Sequence, residues 1–271
     1  MKVSELVSPG VLADVNDLSA AYRVANPYRH VVIDNFLIGE MADFLSERFP
    51  KMEDMPTVFK EPMSYKGQLS GVHEKWPLFS DIFNTLQSDE FRDLISQITG
   101  VDQLLADPIM AGGGLHLSPK SGFLDIHVDA NFHPKDKMLH RRLNILIYVT
   151  RNWNREWGGA LQLWSDKDRS PDELVKIVEP KFNRAVIFST TRTSWHGVEP
   201  INCPDDVSRQ SLALYYYTSS RPQEELYKDS SVIWMNRTVF WKRAIYPLMN
   251  LVIATLKPYI KRKKAFDAAK K

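Results

Sequence analysis

A single cysteine, Cys203, is all the thiol that 271 residues contain. One thiol rules out an intramolecular disulfide framework and suits a reducing compartment. Charge of one sign is lacking too, because 35 Lys and Arg stand against 33 Asp and Glu, for a net charge of +2. So balanced a surface carries no global nucleic-acid signature, and no nucleic-acid partner is expected. No apolar run is long enough to span a bilayer. The opening Met-Lys-Val-Ser-Glu-Leu-Val has no apolar core of a secretory signal, so the expected location is cytoplasmic. Internal repeats and low-complexity tracts are absent, and the length fits one domain with extensions. The divisions expected are 1–110 for helices and a strand, 111–221 for a β-rich core, and 222–271 for a basic, aromatic extension.

What the chain does contain is an ordered set of metal-ligand types between 127 and 217. His127 and Asp129 are two apart, and on a β-strand such residues project from one face. Asp125 and Phe123 share that register and are expected inward as well. His196 follows a strand-like run, Arg184-Ala-Val-Ile-Phe-Ser189, and a polar loop. Two histidines and one carboxylate form the protein's half of a facial triad, which leaves the opposite face of Fe(II) open. The last strand-like run starts at Arg209, and alternation places Arg209, Ser211, Ala213, Tyr215 and Tyr217 on one face. A buried guanidinium needs an anionic or multiply hydrogen-bonded partner. An incoming carboxylate meets that need, with the hydroxyl of Ser211 two residues along. Leu143 to Val149 is the most strand-like run, with Asn144, Leu146 and Tyr148 on one face, and Tyr148 is placed to add its phenol to the same carboxylate. Many short strands with regular turn signals favour a mainly β sandwich or jelly roll.

The pieces His127-Val-Asp129, Arg142-Leu-Asn-Ile-Leu-Ile-Tyr148, Gly158-Gly159-Ala160-Leu161, His196-Gly-Val-Glu-Pro200 and Arg209-Gln-Ser-Leu212 resemble the prolyl 4-hydroxylase-like branch of the Fe(II)/2-oxoglutarate oxygenases. The likeness covers roughly 112 to 219, and several motifs in order weigh more than one. It implies a double-stranded β-helix barrel with flanking helices. It also implies iron on His127, Asp129 and His196, the distal carboxylate of 2-oxoglutarate on Arg209, and Ser211, Tyr148, Asn144 and Leu161 around the cosubstrate. Dioxygen is the co-reactant, and ascorbate joins the cofactors as an added reductant. The reaction implied is hydroxylation of an unactivated C–H bond, in a prolyl residue of a protein, an amino acid, a metabolite or a glycan, with release of succinate and CO2. The sequence departs from the pattern at Leu117, where relatives often carry a tyrosine, so His116 or Ser118 is expected to stand in. Two rival readings use the same residues: a non-catalytic barrel that binds a partner, and a zinc-dependent hydrolase. Neither has an evident use for Arg209.

The remaining segments give coarser expectations. Apolar spacing predicts helices over 11–25, 40–49 and 89–98, and a strand over 30–37. The stretch 52–76, with Met, Pro and Gly scattered through it, resembles a mobile loop near the pocket mouth. His133 and His140 fall in a polar connection and are expected to be solvated, with contact to substrate as the alternative. Arg141 and Arg142 have two readings, a pocket-rim pair for an anionic substrate or a solvated strand start. Trp195 is read either as a pocket wall or as core, and Asp166 as surface charge. The tail after Pro222, rich in Trp, Tyr and Lys, is either a helix packed on the barrel or a segment in peripheral contact with an anionic membrane face.

Overall fold

A computed structural model describes residues 1–72, 76–107, 109–225 and 232–235. Residues 1–233 form one compact unit, and the fold is that of this unit. The tail readings fall outside the described residues. Among those described, no helix is long and apolar enough to cross a membrane.

Helices α1 (Pro9–Ala13), α2 (Val15–Val24), α3 (Gly39–Glu47), α4 (Ser80–Gln87) and α5 (Asp89–Thr99) precede most of the sheet. The run expected as one helix over 11–25 is two, with Asp14 at the break between α1 and α2. Ser88 caps α5, its hydroxyl accepting from the Phe91 amide, and Gly100 ends it in the left-handed region.

The strands are β1 (His30–Ile33), β2 (Thr57–Glu61), β3 (Ser64–Leu69), β4 (Gly114–Ser118), β5 (Phe123–Val128), β6 (His140–Tyr148), β7 (Leu161–Lys167), β8 (Ser170–Val178), β9 (Arg184–Ser189), β10 (Trp195–Val198) and β11 (Arg209–Thr218). They pair in the order β1-β9-β6-β11-β4-β3-β5-β10-β7-β8, each pair antiparallel. The β1 to β4 side is one wall of a double-stranded β-helix, and the β5 to β8 side is the other.

Alternation along the strands explains why the walls have two different faces. Leu143, Ile145 and Ile147 of β6, with Leu212, Leu214 and Tyr216 of β11, join Phe83, Phe91 and Ile95 of the helices in one large apolar core. The intervening residues turn into the barrel, where Leu146, Tyr148, Val186, Phe188 and Ala213 meet Leu161 and Leu163 of the other wall. The helices therefore cover the outside of the major wall, and the barrel interior is left for the site.

The stretch 52–76 departs from expectation. It is not a free loop, since β2 and β3 form a hairpin and β3 bridges the two walls, pairing with β4 at Gly67 to Leu69 and with β5 at Ser64 and Tyr65. This bridge demands a glycine. Gly114 has φ of +103° and sits so close to β3 that an added Cβ would lie 2.0 Å from the Leu69 carbonyl oxygen. Gly114→Ala should cost about 3 kcal/mol or more in stability, measured as a fall of about 10 °C in the unfolding midpoint. An unchanged midpoint would mean that β3 is free to move away from β4.

Candidate active site

The strand order brings three buried ligand types to one end of the barrel. His127 lies near the end of β5, Asp129 is one residue past that end, and His196 is the second residue of β10, directly opposite His127 in the ladder. The Nε2 atom of His127 is 3.6 Å from one Asp129 oxygen, and the Nε2 of His196 is 3.8 Å from the other. One donor atom from each residue lies within 4.8 Å of the others. Both imidazoles have their remaining nitrogen turned to a backbone carbonyl, His127 Nδ1 at 2.8 Å from Asp125 O and His196 Nδ1 at 2.9 Å from Ser194 O. A carbonyl only accepts, so each Nδ1 carries a proton and Nε2 is the atom turned toward the other two ligands.

Electrostatics support the same state for His196. Burial first, and then the neighbouring His127, push His196 down to about 4, so the ring is neutral at pH 7. Burial alone would raise the Asp129 carboxyl. The hydrogen bond from His127, with His196 and Arg141 nearby, overcomes that and holds it well below the usual carboxylate range. Two imidazoles, that of His196 neutral, and an anionic carboxylate form a donor set suited to a divalent metal.

The outer contacts of Asp129 were not visible in the chain's spacing. Asn144 donates to Asp129 Oδ2 at 3.2 Å, and Arg141 Nη1 lies 3.6 Å from Oδ1. Arg141 is neither a rim residue nor a solvated strand start. It is buried, with its guanidinium 3.9 Å from the Tyr215 ring centroid. Arg142 projects the other way and pairs with Glu225 at 3.6 Å. His133 also differs from expectation, being buried with Nε2 3.3 Å from Asp107. His140 opens β6 and is half-buried against Phe132. Trp195 lines no part of the pocket, and its indole donates at 2.7 Å to Asp166, which is therefore an anchor rather than idle surface charge.

Behind the ligands lies a pocket whose lining includes Lys66, His116, Ser118, Asn144, Leu161, Arg209 and Ser211. Arg209 is buried, donates through Nε to Gly159 O at 2.8 Å and covers the Tyr148 ring at 4.7 Å. Its Nη2, the Ser211 hydroxyl and the Tyr148 hydroxyl are all buried without a hydrogen-bond partner. Buried polar groups left unmatched in this way are costly, and a carboxylate set among them would satisfy them together. Leu117 joins the helix-side core, while His116 and Ser118 face the pocket. Asp125 is not in the lining. A bulge opposes Asp125 and Ile126 to the single Gly197, which brings Leu124 onto the same face as His127.

Comparison with known proteins agrees with this geometry. Residues 113–217 match the 2OG-Fe(II) oxygenase superfamily. Prolyl 3-hydroxylase OGFOD1 of Mus musculus is 27% identical over 210 residues, covering 76% of this chain and 36% of the relative. The Xenopus laevis protein of the same name is 25% identical over 197 residues, covering 72% and 36%. The chain thus spans about a third of the length of these curated relatives, 36% in each case. In fold it is similar to a Pseudomonas putida prolyl-4-hydroxylase, with TM-score 0.52 and 19% identity, covering 77% of this chain and 98% of that one. A Trichoplax adhaerens prolyl hydroxylase, solved with a hypoxia inducible factor peptide fragment, gives TM-score 0.52 and 18% identity, covering 78% and 93%.

Residues 113–217 carry the 2OG-Fe(II) oxygenase domain. The fold is the prolyl 4-hydroxylase-like double-stranded β-helix. The domain is an oxygenase domain, and Fe(II), 2-oxoglutarate and dioxygen are the cofactors that go with it. The orphaned polar atoms around Arg209 and the buried His-Asp-His set fit those groups.

Proposed function

We propose that this protein hydroxylates a prolyl residue of a protein substrate, using Fe(II), 2-oxoglutarate and dioxygen. One observation carries the reading: the buried His127, Asp129 and His196 set shares a pocket with an Arg209 guanidinium that has no carboxylate partner among the described residues. His127, Asp129 and His196 would hold the metal, and Arg209 with Ser211 would hold the distal carboxylate of the cosubstrate. Iron loaded with 2-oxoglutarate and dioxygen supplies the oxidant, with succinate and carbon dioxide as by-products. The chain's own residues do the rest. The two histidines turn Nε2 toward the metal position, Asn144 and Arg141 fix the Asp129 oxygens, and Leu146 and Leu161 line the pocket with apolar surface that excludes water.

The choice of proline over a free amino acid, a metabolite or a glycan rests on the relatives, whose names describe prolyl hydroxylases. We further place the protein in a reducing compartment, because its one cysteine, Cys203, is buried and free. The test begins with the anaerobic protein, Fe(II) and 2-oxoglutarate, watched for the visible metal-to-ligand charge-transfer band. Proline-containing peptides are then screened for a mass gain of one oxygen matched by equal succinate. Oxygen added at proline is the expected result. A charge-transfer band with turnover only on free amino acids or sugars would refute the prolyl assignment, and no band in iron-loaded protein would refute the oxygenase reading, moving weight to a zinc hydrolase.

A further inference from the structure

The bridging strand β3 carries a cation that the chemistry described so far does not use. Arg209 pairs with Ser118 across β11 and β4. On the other side of β4, Gly67 pairs with Leu117, Gln68 with His116 and Leu69 with Leu115. Extending that register by one residue sets Lys66 opposite Ser118. One row across three strands therefore reads Arg209, Ser118, Lys66: two cations flanking a hydroxyl, all three in the lining of the same pocket. The neighbouring row reads Tyr148, Ser211, His116, Gln68.

We propose that Lys66 is a second cation for the distal carboxylate of 2-oxoglutarate, closing on it across Ser118 from the side opposite Arg209. This rests on the oxygenase reading above and adds to it a residue from outside the 113–217 domain.

Three observations favour the cosubstrate as the anion. Lys66 forms no salt bridge among the described residues, and its ammonium instead lies 5.7 Å from the Phe59 ring centroid. A half-buried ammonium facing a second cation is poorly placed unless an anion arrives between them. The strand between them supplies no competing charge, since Leu117 points to the helices and burial keeps His116 neutral, its Nε2 3.1 Å from Gly112 O. Position within the barrel argues in the same direction. Lys66 stands in the row of Arg209, on strands that close the barrel, whereas a cation for the substrate would be expected on the loops around the metal ligands. Burial, opposed by the Asp129 carboxylate and helped by Arg209, also brings the ammonium down to about 8, so it is charged at neutral pH and loses that charge in mild alkali.

The experiment compares two keto acids on the full chain loaded anaerobically with Fe(II). One is 2-oxoglutarate, and the other is 2-oxopentanoate, which keeps the chelating head but has no distal carboxylate. Binding is read from the charge-transfer band. Lys66→Met should weaken 2-oxoglutarate about tenfold or more while leaving 2-oxopentanoate at its wild-type affinity, and Lys66→Arg should restore most of the loss. Wild-type affinity for 2-oxoglutarate in the Lys66→Met protein overturns the proposal, and so does an equal loss for both acids, which marks a distorted pocket. If wild-type protein gives a band with neither acid, the oxygenase reading itself fails, a separate outcome. Should Lys66→Met not fold, wild-type protein decides the question. Its affinity for 2-oxoglutarate, but not for 2-oxopentanoate, should fall as pH rises through about 8, and a flat profile for both overturns the assignment.

Discussion

Replacing His196 with alanine is expected to abolish the charge-transfer band that Fe(II) and 2-oxoglutarate develop together, and to lower succinate release by more than about 100-fold. The magnitude follows from what the residue does. Loss of outer partners of a metal ligand alone typically costs 10- to 100-fold in affinity or activity, and His196 is itself one of three protein ligands. Its side chain is buried and its Nδ1 is committed to Ser194 O, which leaves Nε2 as its ligand atom. His127→Ala and Asp129→Ala should behave alike. The control is folding: the substitution removes an imidazole packed 4.9 Å from Phe188 and 4.3 Å from His127, and circular dichroism should still report an intact sheet. A folded His196→Ala protein with a wild-type band would remove His196 from the metal site.

Arg209→Met should instead separate the cosubstrate from the metal. Losing a charge-assisted pair of hydrogen bonds to a carboxylate is worth about 3 kcal/mol, roughly a hundredfold in 2-oxoglutarate affinity. Fe(II) binding should be unchanged, because Arg209 makes no contact with the three ligands and its bond to protein runs to Gly159 O. Anaerobic titrations with each component in turn distinguish the two constants. Unaltered 2-oxoglutarate affinity would place the distal carboxylate elsewhere in the barrel, and a parallel loss of iron would mean that Arg209 supports the fold rather than the cosubstrate.

The parts of this site that could be read in the chain are those fixed by strand periodicity. Alternation alone places His127 with Asp129, and Arg209 with Ser211, because each pair lies on or beside one strand. What escaped depends on register between strands distant in sequence. Thr57 to Glu61 is largely exposed and so shows no apolar alternation, and the buried residues of β3 include Ser64, Gly67 and Gln68, which look like loop residues. The bridging hairpin and Lys66 were hidden for that reason. Arg141 and Arg142 are adjacent, so one must face inward and the other outward, but only the pairing of Arg141 with Tyr217 decides which. The bulge at Asp125 and Ile126 shifts one residue onto the other face, a change that a period of two cannot anticipate. His133 is buried by Asp107, twenty-six positions earlier and joined to it by no motif.

The Arg141 contact bears on what the protein is without its metal. A buried carboxylate that depended on iron for its only countercharge would leave an uncompensated anion in the apo state, and metal and fold would then come and go together. Asp129 already has a guanidinium 3.6 Å away and an amide donor from Asn144. The site is thus a receptor whose charge is balanced in advance, and removing metal with a chelator is expected to leave the unfolding midpoint of the protein nearly unchanged.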